Sequence, residues 1–227
     1  MQPLSGHSQS GATMKKAQPV LIYLHGFLSS PQSVKATQVR QYLASQYPHI
    51  RLEVPQLANF PAAALAQARE LVKRYQDTYL GFIGSSMGGF LVTHLVNEFG
   101  GKGVLVNPAV DPHLLLCDWL GEHQNPYTKE KFVLGPPHVE ELQALSLGRP
   151  TEPDRFWVLL QEGDETLDYR LAAKRYAGGR LTVEPGGNHA FTGFDRYLPE
   201  LVTFLFGPQK QATNRAGGEI IAGHHMS

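Results

Sequence analysis

The sequence predicts an α/β protein, a three-layer α/β/α sandwich around a mainly parallel six-stranded core sheet. Short apolar runs alternate along the chain with stretches of helical periodicity. Several runs are almost continuously apolar, the pattern of strands buried on both faces. His25, Ser86, Asp164 and His189 each lie just after such a run, and in parallel sheets ligands gather at the carboxyl ends of the strands.

The first predicted strand is Pro19 to Leu24, which ends at His25-Gly26-Phe27. Pro31 to Tyr47 carries Val34, Val39, Tyr42 and Leu43 on roughly helical spacing and stops before Pro48. Ile50 to Pro55 alternates as a second strand, and Pro61 to Tyr75 places Ala64, Leu65, Ala68, Leu71 and Val72 on one helical face. Tyr79 to Ile83 is the third strand. The helix from Met87 to Phe99 buries Leu91, Leu95 and Val96 and ends at Gly100-Gly101. Gly103 to Val106 is the fourth strand, Phe156 to Leu160 the fifth and Leu181 to Val183 the sixth. Asp168 to Tyr176 reads as a helix capped by Asp168, and Tyr197 to Phe206 as a closing helix.

The rhythm lapses between Ala109 and Asp154, which hold an apolar stretch at Leu114 to Leu120, a proline-bearing loop at Asn125-Pro126-Tyr127 and a predicted helix from Val139 to Leu147. An insertion in this crossover overhangs the strand end that carries Ser86, so it reads as a small cap, or else as a surface excursion with one satellite helix. Residues 1–17 read as a flexible leader, 18–207 as one domain and 208–227 as a flexible tail containing His224 and His225.

Lys plus Arg equals Asp plus Glu at 20 each, which argues against a nucleic-acid partner. No apolar stretch approaches the roughly 20 residues needed to span a bilayer, and Val20 to Leu24 is too short for a signal peptide. Cys117 is the only cysteine, so no internal disulfide forms and a reducing compartment fits. A cytoplasmic protein is expected.

Gly84-Ser85-Ser86-Met87-Gly88 sits between a strand and a helix, the pattern of a nucleophile elbow. A strand that turns into a helix over one residue strains that residue and crowds the positions two before and two after it. Gly84 and Gly88 lack the side chains that would clash there. A Gly-Ser turn without chemistry is the plainer reading of these five residues. A serine hydroxyl needs a base, and the base needs a group that holds its tautomer. His189, approached through Gly186-Gly187, is the expected base. Glu162, Asp164 and Asp168 compete for the acid; Asp164 directly follows a strand, whereas Asp168 already serves as a helix cap. The order serine, acid, histidine is that of α/β-hydrolases. The backbone N–H groups of Met87, at a helix N-terminus, and of Phe27, in the loop after the first strand, are the expected oxyanion donors. His25 shapes that loop, or lines a substrate pocket with Trp119 and Phe191; each of these is equally a core residue.

The segments Tyr23-Leu24-His25-Gly26-Phe27, Gly84 to Gly89, Val106-Asn107-Pro108-Ala109, Asn125 to Thr128, Gly163 to Tyr169 and Gly187 to Phe194 together resemble the YqiA-type esterase family of α/β-hydrolases, across Val20 to Phe206. The resemblance implies a compact α/β-hydrolase fold lacking the first two strands of the larger form, and activity on simple esters or acyl-CoA thioesters. It also carries over Ser86, Asp164 and His189 as the catalytic residues. The expectation is therefore a serine esterase that uses no metal or other cofactor and acts on a small-molecule acyl ester. An acyltransferase, thioesterase or peptidase built on the same residues is one rival, and a catalytically idle fold that binds a partner is another.

Overall fold

The computed structural model describes residues 18–211; the expected leader and the tail from residue 212 on, with His224 and His225, lie outside them. Fifteen strands and α-helices follow in chain order: β1 (Val20–Leu24), α1 (Val34–Gln46), β2 (Arg51–Glu53), α2 (Pro61–Lys73), β3 (Leu80–Ser85), α3 (Met87–Phe99), β4 (Lys102–Val106), α4 (Pro112–Leu116), β5 (Gly121–Gln124), β6 (Lys131–Leu134), α5 (Pro136–Ala144), β7 (Phe156–Gln161), α6 (Tyr169–Arg175), β8 (Arg180–Glu184) and α7 (Leu198–Phe206).

Six strands form one sheet in the order β2-β1-β3-β4-β7-β8, and every pairing in it is parallel. Strands β1, β3 and β7 are buried along their whole lengths, because helices cover both faces of the sheet. On one face Leu21, Tyr23, Ile83, Val104 and Trp157 pack against α1 and α7. On the other, Ile22, Leu24, Phe82, Leu105 and Val158 pack against α2, α3 and α6. The alternation of a strand's side chains between faces divides each run between the two cores.

The chain moves outward from β1 to β2 and returns to place β3 on the far side of β1. The loops leaving β1 and β3 therefore diverge and open a crevice at their carboxyl ends, where open α/β sheets bind ligands. Gly81 shows how closely the layers sit, since a Cβ there would come 2.6 Å from the Phe206 ring.

The insertion is more structured than the sequence suggests. It holds α4, the antiparallel hairpin β5–β6 and α5. The hairpin escapes sequence reading because Gly121 to Gln124 contains no aliphatic side chain and both strands are only four residues long. Asn125 begins its turn by accepting from the Tyr127 and Thr128 N–H groups. The same side chain donates to Asn59 Oδ1 at 2.8 Å, fastening the hairpin to the loop after β2. Helix α5 starts at Pro136, three residues before the expected Val139; prolines at the first helical positions suit a helix start. Among the described residues no helix is long and apolar enough to cross a membrane.

Candidate functional site

Ser86 stands between β3 and α3 with φ 55° and ψ −121°, a conformation that a side chain-bearing residue holds only under constraint. The constraint is visible on both sides. A Cβ on Gly84 would lie 2.3 Å from the Gly88 carbonyl oxygen, and one on Gly88 would lie 2.0 Å from that of Leu24. Ser86 N–H donates to Val106 O, while its own carbonyl accepts from Gly89 and Ala109 N–H. Strand β4 and its following loop thus hold the turn in place.

His189 reaches Ser86 from the loop after β8, its Nε2 3.0 Å from Ser86 Oγ. Its Nδ1 lies 2.9 Å from both carboxylate oxygens of Asp164, in the loop after β7. The Asp164 side chain is almost wholly buried, and its Oδ1 also accepts from Thr166 and Leu167 N–H. Of the other two acids, Glu162 accepts from the Tyr169 hydroxyl and Asp168 caps α6 by accepting from Arg170 N–H. Asp164 alone of the three meets the imidazole.

Four further side chains hold the His189 loop, and none of them stands out as functional in the sequence. Asn107, with φ 41°, donates from Nδ2 to the carbonyls of Asn188 and His189, and its Oδ1 accepts from Gln161 N–H. Gln161 ends β7 and is buried; its Oε1 accepts from Asn188 and Thr192 N–H, while its Nε2 donates to Thr192 O and Glu184. Glu165 accepts from His189 N–H, and Lys35 Nζ donates to Ala190 O at 2.6 Å. Gln161 is a polar side chain closing an apolar strand, and Asn107 and Glu165 lie in segments that carry the family resemblance, whereas Lys35 has no such signal.

Phe27 and Met87 lie beside Ser86, and among the described residues neither backbone N–H has a hydrogen-bond partner. Met87 N–H is free because it opens α3. The β1 loop approaches closely enough that a Cβ on Gly26 would sit 3.3 Å from Ser86 Cβ. His25 holds this loop to its neighbour: buried, it donates from Nδ1 to Gly26 O and accepts Leu57 N–H on Nε2 at 3.1 Å. Burial pushes its imidazole below the ordinary range, and both ring nitrogens are engaged, so it is a loop fastener.

A cavity of about 260 Å³ opens over Ser86 and His189. Pro112, Leu115, Leu116 and Trp119 of the insertion line it together with Phe27 and Met87. The Trp119 and Phe27 rings meet edge to face at 5.9 Å. The insertion thus covers the Ser86 crevice, as expected of a cap. Phe191 does not line this cavity: it is buried in the α1/α7 core with Tyr197 and borders a second cavity on the other side of the His189 loop, beside Lys35 and Ala190. Its φ of 62° turns the chain inward directly after Ala190. No group of three or more His, Cys, Asp or Glu side chains among the described residues is arranged to hold a metal ion.

The fold recurs in solved hydrolase structures. Est1E from Butyrivibrio proteoclasticus superposes with a TM-score of 0.62 at 16% identity, over 82% of this chain and 86% of its own. The alpha/beta hydrolase domain-containing protein 10 from mouse gives 0.63 at 15% identity, over 83% and 91%. The esterase domain of a Rhodothermus marinus protein gives 0.55 at 18%, over 86% and 87%. Such distant likeness establishes the α/β-hydrolase fold and stops there. Residues 20–206 match the sequence profile of an uncharacterised protein family, UPF0227, and the chain belongs to that family.

Proposed function

We propose that the protein is a serine esterase of the YqiA type that hydrolyses a small-molecule acyl ester through a covalent acyl-enzyme. The observation that carries this reading is the unbroken hydrogen-bonded chain from Asp164 through His189 to Ser86 Oγ. Ser86 Oγ attacks the acyl carbon while its proton passes to His189 Nε2, and the ester carbonyl becomes an oxyanion. The Phe27 and Met87 N–H groups hold that oxyanion, each contributing about 3 to 4 kcal/mol. Collapse of the tetrahedral species breaks the bond to the leaving group, which takes the proton from His189. Water then attacks the acyl-enzyme, giving its proton to His189, and Ser86 regains a proton as the acid departs. Asp164 keeps the imidazole with Nε2 toward Ser86 and stabilises its charged form.

The test is hydrolysis of a short-chain nitrophenyl ester by the wild type and by Ser86→Ala, both checked for folding by circular dichroism. A loss of about 10⁴-fold or more is expected in the variant. A folded wild type without turnover, or a variant that retains it, would remove the esterase reading and favour a binding protein.

A further inference from the structure

The second cavity, of about 380 Å³, lies beside the nucleophile and, unlike the first, has a lysine in its wall. Its wall includes Gly26, Ser85, Asn188 and Ala190, the immediate neighbours of Phe27, Ser86 and His189. An added Cβ on Gly26 would lie 3.8 Å from Ser86 Oγ, so the cavity wall at Gly26 comes close to the hydroxyl. Tyr127, at the turn of the β5–β6 hairpin, stands on its rim and is half-exposed.

The start of α1 contributes Ser33, Lys35 and Gln38, opposite an apolar wall of Tyr23, Phe191 and Phe194. Ser33 Oγ and Gln38 Oε1 are buried and have no hydrogen-bond partner among the described residues. The buried Tyr23 hydroxyl is the group nearest to hand for Ser33, whereas Gln38 Oε1 has no such neighbour. Buried polar atoms are costly to leave unpaired and usually have a use where they persist. Lys35 spends one of its three ammonium donors on Ala190 O. The nearest acid, Asp164, is already engaged by His189, Thr166 and Leu167. A cation with spare donors therefore stands in the wall of a cavity beside the nucleophile, next to the Ser33 and Gln38 side chains.

An ester held at Ser86 has two halves. With the acyl chain among Leu115, Leu116 and Trp119, the other half needs a separate path that keeps its bridging oxygen near His189 Nε2. We propose that the second cavity is a leaving-group subsite, which receives an alcohol bearing an anionic group and pairs that group with the Lys35 ammonium. This rests on the esterase reading and adds the substrate class: acyl esters of alcohols that carry a carboxylate or a phosphate. Burial already pushes the Lys35 ammonium down to about 8, a cost that an anion in the cavity offsets.

The experiment compares butyrate esters of 4-hydroxybenzoate and 4-hydroxybenzamide, whose leaving groups differ chiefly in charge. The ratio of their kcat/KM values is measured in wild type, Lys35→Gln and Lys35→Arg. The ratio should fall about tenfold or more in Lys35→Gln and recover in Lys35→Arg. A lysine that only braces the His189 loop would move both substrates equally; Ser86-dependent turnover with an unchanged ratio overturns the subsite and leaves the esterase reading intact. A second arm needs no turnover. Calorimetric titration of the Ser86→Ala protein should show 4-hydroxybenzoate or 4-hydroxyphenyl phosphate binding more tightly than 4-hydroxybenzamide, with the preference weakened by an added Gln38→Leu. The tighter of the two anions identifies which group the site takes. Equal binding of all three compounds refutes the subsite even if the esterase reading has failed on its own test.

Discussion

Both carboxylate oxygens of Asp164 lie 2.9 Å from His189 Nδ1, and the carboxylate is held there by two backbone N–H groups of its own loop. The amide of Asp164→Asn can still accept from Thr166 and Leu167 N–H through one oxygen, so the loop should keep its shape. What changes is the partner offered to the imidazole, whose tautomer is no longer dictated. Turnover should drop by about 10⁴-fold, with the urea midpoint altered far less than by a core truncation. A variant that keeps more than a tenth of wild-type kcat would show that Asp164 does not orient His189.

The glycines around Ser86 separate stability from chemistry. Gly88→Ala drives a methyl to 2.0 Å from the Leu24 carbonyl, a backbone atom of a central strand that cannot step aside. It should cost about 3 kcal/mol or more in denaturant unfolding. Gly26→Ala meets Ser86 Cβ at 3.3 Å, a contact that a small shift of the β1 loop and the Ser86 turn relieves. Little stability should be lost there, while kcat falls, because even a small displacement of the reacting group is expensive. Similar stabilities for the two variants would contradict this division.

Gln161 is the hub of the His189 loop. Gln161→Leu keeps the volume but leaves the N–H groups of Asn188 and Thr192 and the Thr192 carbonyl without their partner. A stability loss of about 2 to 4 kcal/mol is expected, accompanied by lower kcat as His189 loses its placement. Full activity in a destabilised Gln161→Leu protein would mean that Asn107, Glu165 and Lys35 suffice to position the imidazole.

Lys35 gives a pH signature with a definite sign. Burial pushes its ammonium down to about 8 from an ordinary 10.5. Between those values the unfolded chain binds more protons than the folded one, so this group's contribution makes stability rise with pH across that window. Below it, this destabilising contribution is constant. Lys35→Met removes the charge together with the Ala190 bond. The variant should therefore be more stable than wild type at pH 7, with the advantage shrinking as pH climbs from 8 to 10.5. Asp164, His189 and Tyr23, the titratable groups near the ammonium, are present in both proteins and largely cancel in the comparison. Urea unfolding at pH 7, 8.5 and 10 provides the check, and an advantage that does not change with pH would refute it.

The sheet, the tight turn at Ser86 and the acid that meets His189 are all legible in the amino-acid sequence, because each is written in local spacing. Apolar runs buried on both faces mark β1, β3 and β7. Gly84 and Gly88 mark a turn that admits no Cβ, and position directly after β7 favours Asp164 over a helix-capping Asp168. The β5–β6 hairpin is not legible there, since its strands are short and the first lacks aliphatic residues. Its order comes from Asn125 and Asn59, 66 positions apart. Phe191 illustrates the same limit: nothing local distinguishes an aromatic that lines the Ser86 cavity from one that the left-handed turn after Ala190 sends into the core.

By itself, the sequence determined which residues stand at the carboxyl ends of the strands, since periodicity and glycine spacing act over a few residues. Only the tertiary structure decided that Ser86 and His189, 103 positions apart, come within hydrogen-bond reach. It also decided that Asn107, Gln161, Glu165 and Lys35 converge on one loop, and that two cavities lie on either side of Ser86. The physical reason is that these contacts depend on the order in which parallel strands pair and on where distant loops meet, which no short-range pattern encodes.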